Sequence, residues 1–108
     1  MDYSPQQVAE LIAKGDIQLI DVRQRHEHDA GHIAGSRLIE LAELPSQAQT
    51  IDRDLPVIVY CRSGARSAMA TDALVQAGYD AHNMAGGMLD WHAAQLPMEP
   101  AGGSVAEP

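Results

Sequence analysis

Apolar residues recur along this chain in short blocks whose period alternates between that of a helix and that of a strand. Val8, Leu11 and Ile12 share one helical face, and the run Ser4-Pro5-Gln6-Gln7 supplies its start: Ser4 as N-cap, Pro5 at the first helical position and Gln7 reaching back. Lys14-Gly15 ends that helix. The continuous run from Ile17 to Val22 predicts a strand finishing at Asp21-Val22-Arg23. A short helical piece from Arg25 to Ala30 and an extended segment from Ser36 to Ile39 follow. Leu41 to Ala48 is weakly patterned as helix, and Asp52-Arg53-Asp54-Leu55-Pro56 connects it to a central strand, Val57 to Tyr60. A helix is then expected from Ser67 to Ala77, capped by Gly78, with a last strand from Asp80 to Met84. Gly86-Gly87 reads as a tight turn, and Met88 to Ala94 as a closing helix that stops before Pro97.

Strands that alternate with helices predict an α/β fold, a parallel sheet covered on both faces, with ligands met at the carboxyl ends of the strands. The chain has 108 residues, enough for one hydrophobic core and too few for two, and carries no internal repeat. The domain is expected over residues 1–98, and the Gly- and Pro-containing stretch 99–108 is expected to be a disordered tail. With no Phe and a single Trp, the core must rest on Leu, Ile, Val and Ala, with Met69, Met84 and Met88 as gap-fillers and Trp91 as a plug whose N–H needs a partner.

Charge and cysteine content narrow the function. A formal net charge of -8 argues against a nucleic-acid partner, which requires a basic face. The single Cys precludes an intrachain disulfide framework and suits a reducing compartment. The start Met1-Asp2-Tyr3-Ser4-Pro5 has neither a basic nor an apolar leader region, and no run approaches the length of a membrane span, so a soluble cytoplasmic protein is expected.

That one thiol, Cys61, closes the central strand and opens Cys61-Arg62-Ser63-Gly64-Ala65-Arg66-Ser67, which leads into the helix. A strand–loop–helix junction aims backbone N–H groups and the positive helix end at the sulfur. A free thiol with pKa about 8.5 is only about 3% ionised at pH 7, whereas one near 6.5 is roughly three-quarters thiolate. The loop amides and the guanidinium groups of Arg62 and Arg66 both act in that direction. A lone Cys is usually inert core, but the polar neighbours of Cys61 place it at the end of the strand and mark it as reactive.

Asp21-Val22-Arg23, Glu27, Gly31-His32-Ile33-Ala34-Gly35-Ser36, Cys61 through Ser67, Gly86-Gly87-Met88, Trp91 and Leu96-Pro97 occur in one order at one set of spacings. This set resembles the rhodanese-like sulfurtransferases in their small single-domain form, over residues 3–98. The resemblance implies a five-stranded parallel sheet with helices on both faces. It also implies a ping-pong reaction in which the cysteine takes the outer sulfur of an anionic donor such as thiosulfate, and a persulfide then passes that sulfur to cyanide or a thiol. No cofactor or metal is called for. Cys61 matches the persulfide-bearing residue. Arg62, Ser63, Gly64, Ala65 and Arg66 match the substrate-binding loop, and Asp21, Arg23, His32 and Ser67 match supporting polar positions. Ala34 stands where the family pattern has Pro, and Ser36 where it more often has Ala; the first relaxes a turn and the second has no evident consequence.

Four residues separate Cys61 from Arg66, one fewer than in the oxyanion-binding loops of phosphatases and arsenate reductases that share this fold, so the smaller ring suits a persulfide sulfur better than phosphate. Arg23, Arg25, Arg62 and Arg66 follow two strands and suggest a basic mouth that focuses anionic donors, set against the plainer reading that Arg23 and Arg25 pair with Asp21, Glu27 and Asp29. His26, His28 and His32 do not read as a metal site, since Gly31 ends the helix between them. A persulfide carrier or sensor that serves a protein partner is the alternative to an enzyme.

Overall fold

The computed structural model describes residues 2–108. Its elements are β1 (Asp2–Tyr3), α1 (Pro5–Lys14), β2 (Gln18–Asp21), α2 (Arg25–Ala30), β3 (Arg37–Leu38), α3 (Leu44–Gln47, between 3-10 turns at Leu41–Glu43 and Ala48–Thr50), β4 (Val57–Tyr60), α4 (Ala65–Gln76), β5 (Ala81–Met84) and α5 (Gly87–Ala93). The strands form one parallel sheet in the order β1-β5-β4-β2-β3.

Alternation along β4 builds both halves of the core. Val57, Val59 and Cys61 face α4, joining Ile20, Val22, Ala70 and Leu74, whereas Ile58 and Tyr60 face α1 and α5, joining Val8, Met84, Met88 and Trp91. All four β4 residues are 0% exposed, as expected of a strand covered on both sides. The start of α1 follows its sequence cues: Gln7 N–H donates to the Ser4 hydroxyl, Ser4 N–H donates to the Gln7 side chain, and Gly15 ends the helix at φ +78°. The Trp91 indole N–H finds the Pro97 carbonyl at 2.9 Å.

Four features differ from the sequence reading. The fifth strand, β1, has only two residues and pairs with β5 through Asp2–Asn83 and Tyr3–Met84; it is too short to show a period. Helix α4 begins at Ala65, two residues before the expected Ser67, which puts Arg66 in its first turn. Met84 and Met88 are buried gap-fillers, but Met69 is 65% exposed on the outer face of α4. The segment expected as a disordered tail lies along α2: Glu99 and His32 exchange backbone hydrogen bonds, Ser104 N–H donates to Ala30 O at 3.0 Å, and Val105 packs on the α1 side of the core. An apolar Val among polar residues, with glycines that permit close approach, supplies those contacts.

Candidate active site

Both central strands, β2 and β4, end on the same edge of the sheet, where Asp21 is in register with Tyr60. The polypeptide after Tyr60 curls so that its own donors converge on Cys61. Gly64 N–H lies 3.1 Å from Sγ, Ser67 N–H 3.4 Å and the Ser67 hydroxyl 3.3 Å. Gly64, the N-cap of α4, adopts φ +104°, a conformation open to glycine and strained for other residues. The loop is braced from behind by α5: Met88 N–H donates to Cys61 O and Leu89 N–H to Arg62 O. A Cβ on Gly87 would stand 2.5 Å from Cys61 O and 2.6 Å from Arg62 O, so the second glycine of the Gly86-Gly87 turn is required by close approach.

Cys61 itself is 1% exposed, more enclosed than its polar neighbours suggested, because those neighbours fold over it. Ser63 and Ala65 of the same loop are exposed. Burial pushes the thiol pKa up, while the Ser67 hydroxyl and the N–H groups of Ser67, Gly64 and Ser63 pull it down; the balance lies below the ordinary thiol value. The hydrogen-bond donors that lower it most are neutral, and the Arg66 guanidinium adds a weaker attraction to the Cys61 charge. Of the two arginines expected to share this task, Arg66 is tied to a carboxylate and Arg62 makes no ion pair among the described residues. Arg66 makes a two-pronged pair with Glu27 at 2.8 Å for each contact, and that carboxylate keeps the guanidinium firmly protonated. Arg62 is half-buried, with its Nε enclosed and unpartnered among the described residues.

Arg23 is no part of a basic mouth. It is 0% exposed, gives its Nε and Nη2 to Asp21 and Nη2 also to Gly31 O, and lies 5.6 Å from the Tyr60 ring centre. Asp21 also accepts from Arg23 N–H and His28 Nδ1. His32 stacks on His28 with ring centres 3.9 Å apart, donates Nδ1–H to His28 O and places Nε2 3.8 Å from the Glu99 carboxylate, so its contacts are with α2 and the C-terminal segment. Arg25 is exposed on α2, and its backbone N–H donates to Glu40.

Two residues emerge that were not assigned a site role from sequence. Glu27, 0% exposed, accepts from Gln24 N–H as it holds Arg66, and so ties α2 to the first turn of α4. Glu27 stands in the spaced set that carries the family resemblance and three residues after Gln24, as in a helix start, but neither signal names a partner 39 residues away. Asn83, 5% exposed at the end of β5, donates to Gly64 O at 3.4 Å. Ser36, a departure with no evident consequence in the sequence, is given one here: its hydroxyl bonds Tyr60 OH at 2.9 Å, where Ile33 N–H also donates.

Comparison with known proteins gives matches over most of the chain. The family model described as "Rhodanese-like domain" matches residues 4–94. Among curated proteins, the chain is 35% identical to a thiosulfate sulfurtransferase GlpE of Pseudoalteromonas translucida, over 82% of this chain and 85% of that one. It is 38% identical to an HTH-type transcriptional regulator of Mycobacterium tuberculosis over 84% of this chain, which spans only 42% of that protein. The chain also spans 60% of a Bacillus subtilis protein, YqhL, at 40% identity. Among solved structures, a rhodanese-related protein from Thermoplasma volcanium superposes with TM-score 0.85 at 30% identity, covering 90% of this chain and 95% of that one. A rhodanese-like domain from Anabaena shares the fold at TM-score 0.83 and 20% identity, covering 99% and 89%.

Proposed function

The chain belongs to the rhodanese-like domain family, and from that premise we propose that it is a thiosulfate-type sulfurtransferase whose Cys61 carries the transferred sulfur. The observation that carries this reading is the ring of three neutral donors, Gly64 N–H, Ser67 N–H and the Ser67 hydroxyl, around one sulfur.

The Cys61 thiolate attacks the outer sulfur of an anionic donor such as thiosulfate. A new S–S bond forms, the donor's S–S bond breaks, and sulfite leaves with the electron pair. The acceptor, cyanide or a thiol, then attacks the outer sulfur of the persulfide, and the Cys61 thiolate departs. Negative charge resides on sulfur before and after each step, so donors fixed in place stabilise both states at no cost of reorganisation. They also make the thiolate the better leaving group in the second half-reaction. No base is required at Cys61, because the lowered pKa supplies the nucleophile. Enclosure of the thiol favours slender reactants such as thiosulfate, cyanide or a thiol over bulky electrophiles. The short loop, with four residues between Cys61 and Arg66, argues against phosphate. A lone free thiol fits a reducing, cytoplasmic setting, and no helix of the described residues is long and apolar enough to cross a membrane.

A carrier or sensor role for a protein partner is the second reading, supported by likeness to a transcriptional regulator of which this chain spans 42%. Intact-protein mass spectrometry after thiosulfate treatment tests the first: a gain of one sulfur atom is expected, removed by cyanide and absent in Cys61→Ser. Sustained turnover of thiosulfate and cyanide identifies the enzyme, whereas stable loading with negligible turnover identifies the carrier.

A further inference from the structure

Asn83 occupies a place where an apolar side chain would be expected. It lies toward the end of β5, paired with Asp2 of the edge strand on one side and Val59 on the other, and the shared register with Val59 turns it toward α4 and the cysteine loop. It is 5% exposed, and its Oδ1 is buried without a partner among the described residues. An orphaned buried carbonyl destabilises a fold relative to a hydrocarbon of similar shape, so packing alone gives no reason for an amide here.

The other end of that amide meets the loop. Nδ2 donates to Gly64 O, which also accepts Ala68 N–H at 3.0 Å as the first bond of α4. A Cβ on Gly64 would approach Gly86 N to 3.3 Å and Asn83 Nδ2 to 3.9 Å, so the Gly64 backbone rests directly on the end of β5 and the turn after it. The orientation of this one residue governs two of the sulfur's donors. Its own N–H points at Cys61 Sγ, and its carbonyl begins the helical turn that brings Ser67 to the same atom.

We propose that Asn83 is a positioning residue for sulfur transfer: its amide fixes the left-handed Gly64 peptide and thereby keeps the donors of the loop aimed at Cys61. The inference rests on the reading of Cys61 as the reacting thiol. It adds that ionisation of that thiol is set from the neighbouring strand as well as from the loop.

The test is the pH dependence of Cys61 alkylation by iodoacetamide in the parent, Asn83→Asp and Asn83→Leu, with unfolding followed alongside. Asn83→Asp keeps the shape and, once ionised, cannot donate; Asn83→Leu keeps the volume and removes the orphaned carbonyl. Both are expected to raise the alkylation midpoint by roughly half a pH unit or more, the Asp variant further because it adds a negative charge nearby. kcat for sulfur transfer should fall while folding stays cooperative. A midpoint unchanged in both folded variants would overturn the inference even if sulfur transfer proceeds. Parent protein that takes no sulfur from thiosulfate would instead overturn the proposed function, whatever the Asn83 variants do.

Discussion

The ends of β2 and β4 sit side by side on one edge of the sheet, each with a buried group able to carry negative charge and each followed by arginines, yet the two are built for opposite ends. At β2, the Asp21 carboxylate receives Arg23 Nε, Nη2 and backbone N–H as well as His28 Nδ1, and the ion pair is 0% exposed on both sides. At β4, the Cys61 sulfur receives two amides and a hydroxyl, while the Arg66 guanidinium pairs with Glu27 and acts on the sulfur only at a distance. A full positive charge neutralises its partner and makes the pair inert, whereas neutral dipoles favour the charged form and leave that charge available to react. On the proposed reading, chemistry at this edge follows the type of donor, since burial is shared by both sites.

The largest effect expected from this contrast is at the inert site. Asp21→Ala leaves Arg23 buried without its counter-charge and should cost about 3–5 kcal/mol in urea unfolding, whereas Cys61→Ser should cost less than about 1 kcal/mol. Comparable losses in the two variants would erase the distinction.

Glu27→Gln comes next, at roughly 1–2 kcal/mol, because Arg66 is partly open to solvent. Burial raises the Glu27 pKa, but the Arg66 contacts and the Gln24 N–H outweigh it, and the carboxyl lies below its usual value. A depressed folded-state pKa contributes stability that is complete above the unfolded value, about 4.3, and is lost as pH falls through the lower folded value. The difference between parent and Glu27→Gln should therefore shrink only in strong acid; a difference that is constant with pH would show that the ion pair contributes nothing.

Ser67→Ala removes the donor with the greatest effect on the thiol and should raise its ionisation midpoint, with little change in unfolding. The smallest effect is expected of Ser36→Ala, about 0.5–1 kcal/mol from the lost bond to Tyr60, with the alkylation midpoint unmoved.

The same two strand ends show what was legible in the sequence. The Val57 to Tyr60 run and the Ser4-to-Gln7 capping box are local patterns, and the structure places both where they were read. Arginine after a strand carries no such local meaning: Arg23 lies sealed against Asp21, and Arg66 spans 39 residues to reach Glu27, a residue whose neighbours in sequence point to Arg23 and Arg25 as partners. Strand β1 exists through its pairing with β5, and Asn83 gains a role only because Gly64 folds back onto it. Elements defined by periodicity or caps could be found from neighbours in sequence, whereas the ion pairs and loop braces are contacts between distant segments.

The most direct measurement is the ultraviolet absorbance of the Cys61 thiolate against pH, taken as the difference between parent and Cys61→Ser. If fixed neutral donors hold this sulfur ionised, the midpoint will lie clearly below about 8.5, the value of a free thiol, and will move upward in Ser67→Ala. A midpoint at or above that value, unaffected by Ser67→Ala, would contradict the account.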